Sequence, residues 1–168
     1  MTKEILYVDM DGVLADFEQE MHNILPGVPI GDGPDYEERS LQVIAACQRN
    51  PNTFLRLKPI KGGIDAVIEL MDHYDVYFLS TPMDELSQSH KDKRDWLDRY
   101  FGALANKRLN LTHRKDLQIG DYLIDDTKRN GAGQFRGEHI HFGSESFPDW
   151  DVVKNYLLGI AKSVKQAA

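Results

Sequence analysis

Two aspartate pairs, Asp9 with Asp11 and Asp125 with Asp126, each follow a short apolar run, and carboxylates this close together repel one another. A hard cation such as Mg2+, bound through oxygen, is the usual way to offset such repulsion. Ile5, Leu6, Tyr7 and Val8 lead into the first pair without alternation, which predicts a strand buried on both faces of a parallel sheet. Ligands of open α/β sheets bind beyond the carboxyl ends of the strands, where Asp9 and Asp11 then fall. Gly12 lets the chain turn directly after them. Gly120 to Thr127 repeats the pattern, ending its apolar run in Asp125 and Asp126. A solvated Asp-rich turn explains one pair, but two pairs at strand ends of a small acidic chain destabilise a fold unless a cation or proton accompanies them.

Ser80 and Thr81 close a second apolar run, Asp75 to Ser80, and so place two hydroxyls at a strand's carboxyl edge. Taken alone, Ser-Thr-Pro is a turn or helix-cap signal. Lys115 follows a shorter predicted strand, Lys107 to Thr112; by spacing alone a lysine reads as a solvated side chain. His139 and His141 share one strand face but have no third ligand nearby, which favours a structural role over a metal pair.

The elements that position these residues follow from periodicity. Phe17, Met21, Ile24 and Leu25 share one helical face before Pro26 and Gly27 stop it, and a turn-rich stretch runs from 26 to 36. A second helix is predicted over Tyr36 to Gln48 with Leu41, Ile44 and Ala45 inward. Residues 18–58 thus interrupt the strand-to-helix rhythm and are expected to form a helical cap inserted in a core of residues 1–17 and 59–168. A helix with Ile64, Val67, Ile68 and Met71 as its apolar face precedes the strand 75–80. Residues 84–101 form the next helix, with Trp96, Leu97, Tyr100 and Phe101 as its apolar patch. A glycine-rich loop at 130–133, a final strand at 139–142 and a closing helix over 151–164 complete an α/β fold. Its sheet is expected to be doubly wound, mostly parallel, five-stranded and Rossmann-like.

The chain has 168 residues, 41% of them hydrophobic, enough for one substantial core with a small appended unit. A net charge of −7 argues against broad binding to nucleic-acid backbones or anionic membranes. The single cysteine, Cys47, excludes an intramolecular disulfide and fits a reducing compartment; its expected place is a buried helix face. The first apolar run is too short, and too soon interrupted by Asp9, for a signal peptide or membrane span, so a cytoplasmic location is expected. The oligomeric state stays open, a homodimer being one option.

The stretch Asp9-Met-Asp-Gly-Val-Leu-Ala-Asp-Phe17 resembles the first motif of the haloacid dehalogenase (HAD) superfamily of phosphotransferases, and more narrowly that of the 5′(3′)-deoxyribonucleotidases. The resemblance implies that Asp9 attacks phosphorus and that Asp11 acts as general acid and base. It gives Ser80 or Thr81 to the phosphoryl group, Lys115 to neutralising nucleophile and phosphate, and Asp125 and Asp126 to the metal. Mg2+ is then held by Asp9, the backbone carbonyl of Asp11 and Asp125, with Asp126 in or near its ligand set. Further similarity to the deoxyribonucleotidases lies in Trp96, in Thr112 to Lys115 and in Phe142 to Trp150. Several of those enzymes carry a basic residue where this chain has Asp84, and Arg where it has His113, which bears on phosphate and sugar selectivity. The implied activity is hydrolysis of a small phosphate ester, a nucleoside monophosphate by resemblance, with Phe17 and Phe54 as candidate surfaces for base or sugar; a sugar phosphate is the alternative. A phosphorylation-controlled signalling module shares the residue types, but its acceptor acid belongs at the end of the third strand, and Leu109 to Thr112 carry none. A silent binding relative conflicts with the presence of every residue type the chemistry requires.

Overall fold

A computed structural model describes residues 2–31 and 33–167. Five parallel strands form one sheet in the order β3-β2-β1-β4-β5. They are β1 (Ile5–Val8), β2 (Asp75–Ser80), β3 (Leu109–Leu111), β4 (Tyr122–Asp125) and β5 (Glu138–His141). The central strand pairs through Leu6 with Val76 on one side and Tyr122 on the other. Its lack of alternation has the expected cause: Leu6, Tyr7 and Val8 are all buried, as is every residue of β4.

The two faces are covered unequally. Leu6, Val8, Val76, Phe78, Ile124 and Ile140 pack against α4 (Gly63–Leu70), α5 (Gln88–Phe101) and α6 (Trp150–Ala167). The opposite face, carrying Tyr7, Leu79 and Leu123, packs among the described residues against Ala132 and Phe135 of the β4–β5 connection, with the Tyr7 hydroxyl donating to Ile119 O at 3.1 Å. The chain does reverse direction across the sheet as a doubly wound fold requires, but among the described residues the second layer is reduced to 3-10 turns at Lys115–Leu117 and Ala132–Gln134.

Between β1 and α4 stand α1 (Phe17–Ile24), α2 (Tyr36–Arg49) and α3 (Thr53–Arg56). Asp16 caps α1 by accepting from the Gln19 N–H at 3.0 Å. This segment enters and leaves the core through one paired crossing: Ala15 lies opposite Pro59, the Asp16 N–H donates to Lys58 O, and the Ile60 N–H donates to Leu14 O. Its last helix joins the main core, where Phe54 and Leu57 are buried and Trp96 Nε1 on α5 donates to Leu57 O at 2.8 Å.

Four expectations are corrected. Leu41 points outward and is 68% exposed; α2 instead buries Ala46 and Cys47, one turn later on its surface. Ile68 is likewise exposed, and α4 faces the core with Gly63, Ala66, Val67 and Leu70, because the apolar stripe follows the small residues that let the helix approach the sheet. The helix expected from residue 84 starts at Gln88, after a turn in which Ser89 Oγ bonds both the N–H and the carbonyl of Met83. The third strand is shortened to Leu109–Leu111 at the sheet edge, where pairing exists on one side only.

Candidate active site

The loop after β1 is built to hold two carboxylates still. Asp9 continues the ladder through its N–H to Ile124 O at 2.9 Å, and its Oδ1 accepts from the Met10 N–H at 2.7 Å. The carbonyl of Met10 accepts from Val13, Leu14 and Ala15, and Gly12 takes φ +75°, a left-handed conformation that glycine adopts without strain. From behind, Trp150 Nε1 on α6 donates to Val13 O at 2.7 Å. The turn at Gly12 was expected from the sequence; the indole was not read as part of the site, although Trp150 closes one of the stretches that carried the resemblance.

β4 lies beside β1 and delivers the second pair to the same sheet edge. Asp125 is fully buried; its Oδ1 accepts from the Thr127 N–H, and its Oδ2 accepts from Lys115 Nζ at 2.5 Å. The same ammonium lies 3.0 Å from Asp9 Oδ2. Burial works against the charge on Lys115, but Asp9 and Asp125 more than offset it and hold the group up at about 12. One ammonium does not compensate three carboxylates. Burial, then Asp9, push Asp125 up to about 6 against the pull of Lys115, and burial, Asp9 and Asp125 push Asp126 up to about 8.

Oxygen atoms of Asp9, Asp125 and Asp126 all lie within 4.8 Å of one another. An all-carboxylate donor set with uncompensated negative charge fits a hard divalent cation such as Mg2+. His139 and His141 are not part of this group: their rings stack 5.7 Å apart, and His141 Nε2 is bonded to the Asp126 carbonyl at 2.9 Å. His141 therefore supports the backbone that carries Asp126.

Ser80 and Thr81 both face the cavity in front of these acids, but with different hydrogen-bond roles. Thr81 Oγ1 donates to Thr112 O at 3.0 Å, whereas Ser80 Oγ accepts from Lys93 Nζ at 3.0 Å and keeps its own hydrogen. Lys93 is 1% exposed, lies on α5 and also donates to Asp11 Oδ2 at 2.5 Å. Sequence reading missed it because a lysine on a polar helix looks solvated. Its offset of three and four residues from Trp96 and Leu97, which puts it on the buried stripe, was the available signal. Burial raises the Asp11 carboxyl above its usual range, with Lys93 opposing and Asp9 adding to the shift.

The cavity measures about 710 Å3 and opens between the sheet edge and α1–α3. Phe17 and Phe54 stack at 5.7 Å with 12° between their planes and form part of its wall. Tyr36 at the start of α2 lies under the Arg129 guanidinium of the β4–β5 connection at 4.1 Å, bridging the two sides. Asp84 and His113 do not line this cavity; they face each other at 3.8 Å, exposed, with His113 also on the Pro82 carbonyl.

Comparison with known proteins gives the fold and the family. A HAD-like hydrolase from Streptococcus pneumoniae, 14% identical, superposes over 96% of this chain and 98% of its own with a TM-score of 0.58, which establishes the fold. A protein of Vibrio phage KVP40 assigned as a 5′(3′)-deoxyribonucleotidase is 45% identical over 92% of this chain and 85% of its own. The human cytosolic-type 5′(3′)-deoxyribonucleotidase is 33% identical over 80% of this chain and 77% of its own. No helix among the described residues is long and apolar enough to cross a membrane. Residues 35–148 match the family described as 5′ nucleotidase, deoxy (pyrimidine), cytosolic type C protein, and the chain belongs to that family of hydrolases.

Proposed function

We propose that the protein is a Mg2+-dependent phosphomonoesterase that hydrolyses deoxyribonucleoside monophosphates to nucleoside and phosphate through an aspartyl phosphate on Asp9. The observation that carries this reading is the convergence of Asp9, Asp11, Asp125, Asp126, Lys115 and Ser80 on one cavity edge. The family and the names of its relatives support the nucleotide class.

Asp9 attacks phosphorus through a carboxylate oxygen, the phosphorus–oxygen ester bond breaks, and Asp11 gives its proton to the departing alkoxide. Water then attacks the aspartyl phosphate, Asp11 takes a proton from it, and inorganic phosphate leaves Asp9 as a free carboxylate. Ser80, whose hydrogen is not spent on the protein, donates to a phosphoryl oxygen; Thr81 contributes backbone because its hydroxyl is committed to Thr112 O. Lys115 orients Asp9 and lowers the charge on the reacting group. Asp9, Asp125, Asp126 and the carbonyl of Asp11 would hold Mg2+, which supplies positive charge to the phosphoryl oxygens when bound. The helices of residues 18–58 act as a cap that excludes water, and Phe54 with the adjoining Phe17 meets the nucleoside.

The test is a panel of nucleoside 5′- and 3′-monophosphates, sugar phosphates and p-nitrophenyl phosphate ranked by kcat/KM with Mg2+, alongside Asp9→Asn. Deoxynucleotides should exceed their ribo counterparts by roughly tenfold or more, since an unpartnered 2′-hydroxyl is expensive to bury. Sugar phosphates outranking nucleotides would remove the nucleotide assignment, and an Asp9→Asn protein with near-normal turnover would remove the mechanism.

A further inference from the structure

Lys93 is a buried ammonium that does not line the cavity, so it reaches the reaction only through its neighbours. Two of its three donors are assigned: one goes to Asp11 Oδ2 at 2.5 Å and one to Ser80 Oγ at 3.0 Å. Its third side faces the ring of Phe54 on α3, 4.9 Å from the centroid. The helix that carries it is fixed to that same segment by the bond from Trp96 Nε1 to Leu57 O. The site thus holds two ammoniums with separate work. Lys115 is tied to Asp9 and Asp125, the nucleophile and a metal-site acid, while Lys93 is tied to Asp11 alone among the carboxylates with which the structure pairs it.

We propose, resting on the reaction assigned above, that Lys93 is a positioning residue: it pins Asp11 through Oδ2, so that Oδ1 is the oxygen that exchanges the proton with the ester or water oxygen. A carboxyl group free to rotate about its last bond spends little time with one oxygen aimed at the leaving group. Held at Oδ2 by a buried donor, it presents the other throughout the reaction. The Phe54 ring, on α3 and part of the main core, closes the remaining side of the ammonium.

A role through Asp11 makes a demand that a general structural role does not, because it depends on the leaving group. The alkoxide of a nucleoside must be protonated as it departs, whereas nitrophenolate leaves without a proton. The experiment measures kcat/KM, which reports events up to the first phosphoryl transfer, for a nucleoside 5′-monophosphate and for p-nitrophenyl phosphate on one preparation of Lys93→Met. Taking the ratio cancels both the active fraction and any effect through Ser80, which touches the phosphoryl group common to both substrates. The nucleotide-to-aryl ratio should fall on the order of a hundredfold relative to wild type, the size of a general-acid contribution, and Lys93→Arg should recover part of it. In an Asp11→Asn background Lys93→Met should change the ratio no further. A ratio within about threefold of wild type, or an equal fall in the Asp11→Asn background, overturns the proposal. Should the Met variant fail to fold, Lys93→Gln carries the same comparison. Wild-type turnover of both substrates that is lost in Asp9→Asn establishes the underlying reaction separately, so an unchanged ratio beside that result counts against Lys93 alone. Absence of wild-type turnover overturns both.

Discussion

Asp126 occupies the space that a side chain at position 12 would need: a Cβ on Gly12 would lie 2.2 Å from Asp126 Oδ2 and 2.7 Å from its Cγ. The turn after β1 and the end of β4 therefore meet with no atom to spare, and the backbone there has φ +75° as well. Gly12→Ala should cost about 1–3 kcal/mol, through strain and displacement of the carboxylate. Urea unfolding measures it, and a variant as stable as wild type would show that the turn relaxes without moving Asp126.

The crowding of Asp9, Asp125 and Asp126 predicts that a divalent cation stabilises the native state. Thermal unfolding should show Tm rising with Mg2+ and falling on chelation, with Ca2+ a poorer substitute in activity because its coordination is larger and looser. Asp126→Asn relieves the cost of holding an ionisable carboxyl in this buried, like-charged place without breaking the bonds that Asp125 makes to Lys115 and Thr127, so in chelated protein it should raise Tm by ~2–4 °C. Asp125→Asn should lower it. Full activity after exhaustive chelation would exclude the metal.

Cys47 has no exposed surface, and burial, with Asp11 and Glu20 adding to it, pushes its thiol up to about 12. At pH 8 the reactive thiolate is then a fraction on the order of 10⁻⁴. The native protein should be inert to a thiol reagent and should react fully once denatured, as followed by absorbance. Rapid labelling at pH 8 without denaturant would reveal opening of α2 from its neighbours.

The stacking of Arg129 on Tyr36 ties the β4–β5 connection to α2 across the cavity. A double-mutant cycle with Tyr36→Ala and Arg129→Ala should give a coupling of about 0.5–1 kcal/mol, and Tyr36→Phe, which keeps the ring, should retain it. Tyr36→Ala should also speed proteolytic cleavage in the turn-rich stretch after α1. Zero coupling would make the contact incidental.

The sequence shows the sheet well because four of its five strands carry their own signal: β1, β2 and β4 are short continuous apolar runs, and β5 alternates. It shows the acid pairs because they stand at the ends of such runs. The helix faces of α2 and α4 were legible only to within a turn, since Leu41 and Ile68 continue an apolar stripe that the packing abandons for Ala46, Cys47 and Leu70. The choice between Ser80 and Thr81 was hidden because it depends on where each hydroxyl hydrogen goes, which only the neighbours Lys93 and Thr112 decide. Asp84, a departure from the family pattern that suggested altered selectivity, lies outside the cavity wall. Lys93 escaped for a different reason: residue type argued for solvent, and only the helical offset argued against it.

The segment between β1 and α4 begins and ends at neighbouring points, where Ala15 faces Pro59 and the Asp16 N–H meets Lys58 O. To the sheet it is a loop already closed, and lengthening a closed loop costs only in proportion to the logarithm of its length. A stretch of different size and sequence could thus replace residues 18–52, keeping α3 on the core, without repacking a strand. On the function proposed above, inheritance can then act on two texts in one chain, one spelling out the bond to be broken and the other the molecule that carries it, each free to drift while the other is held.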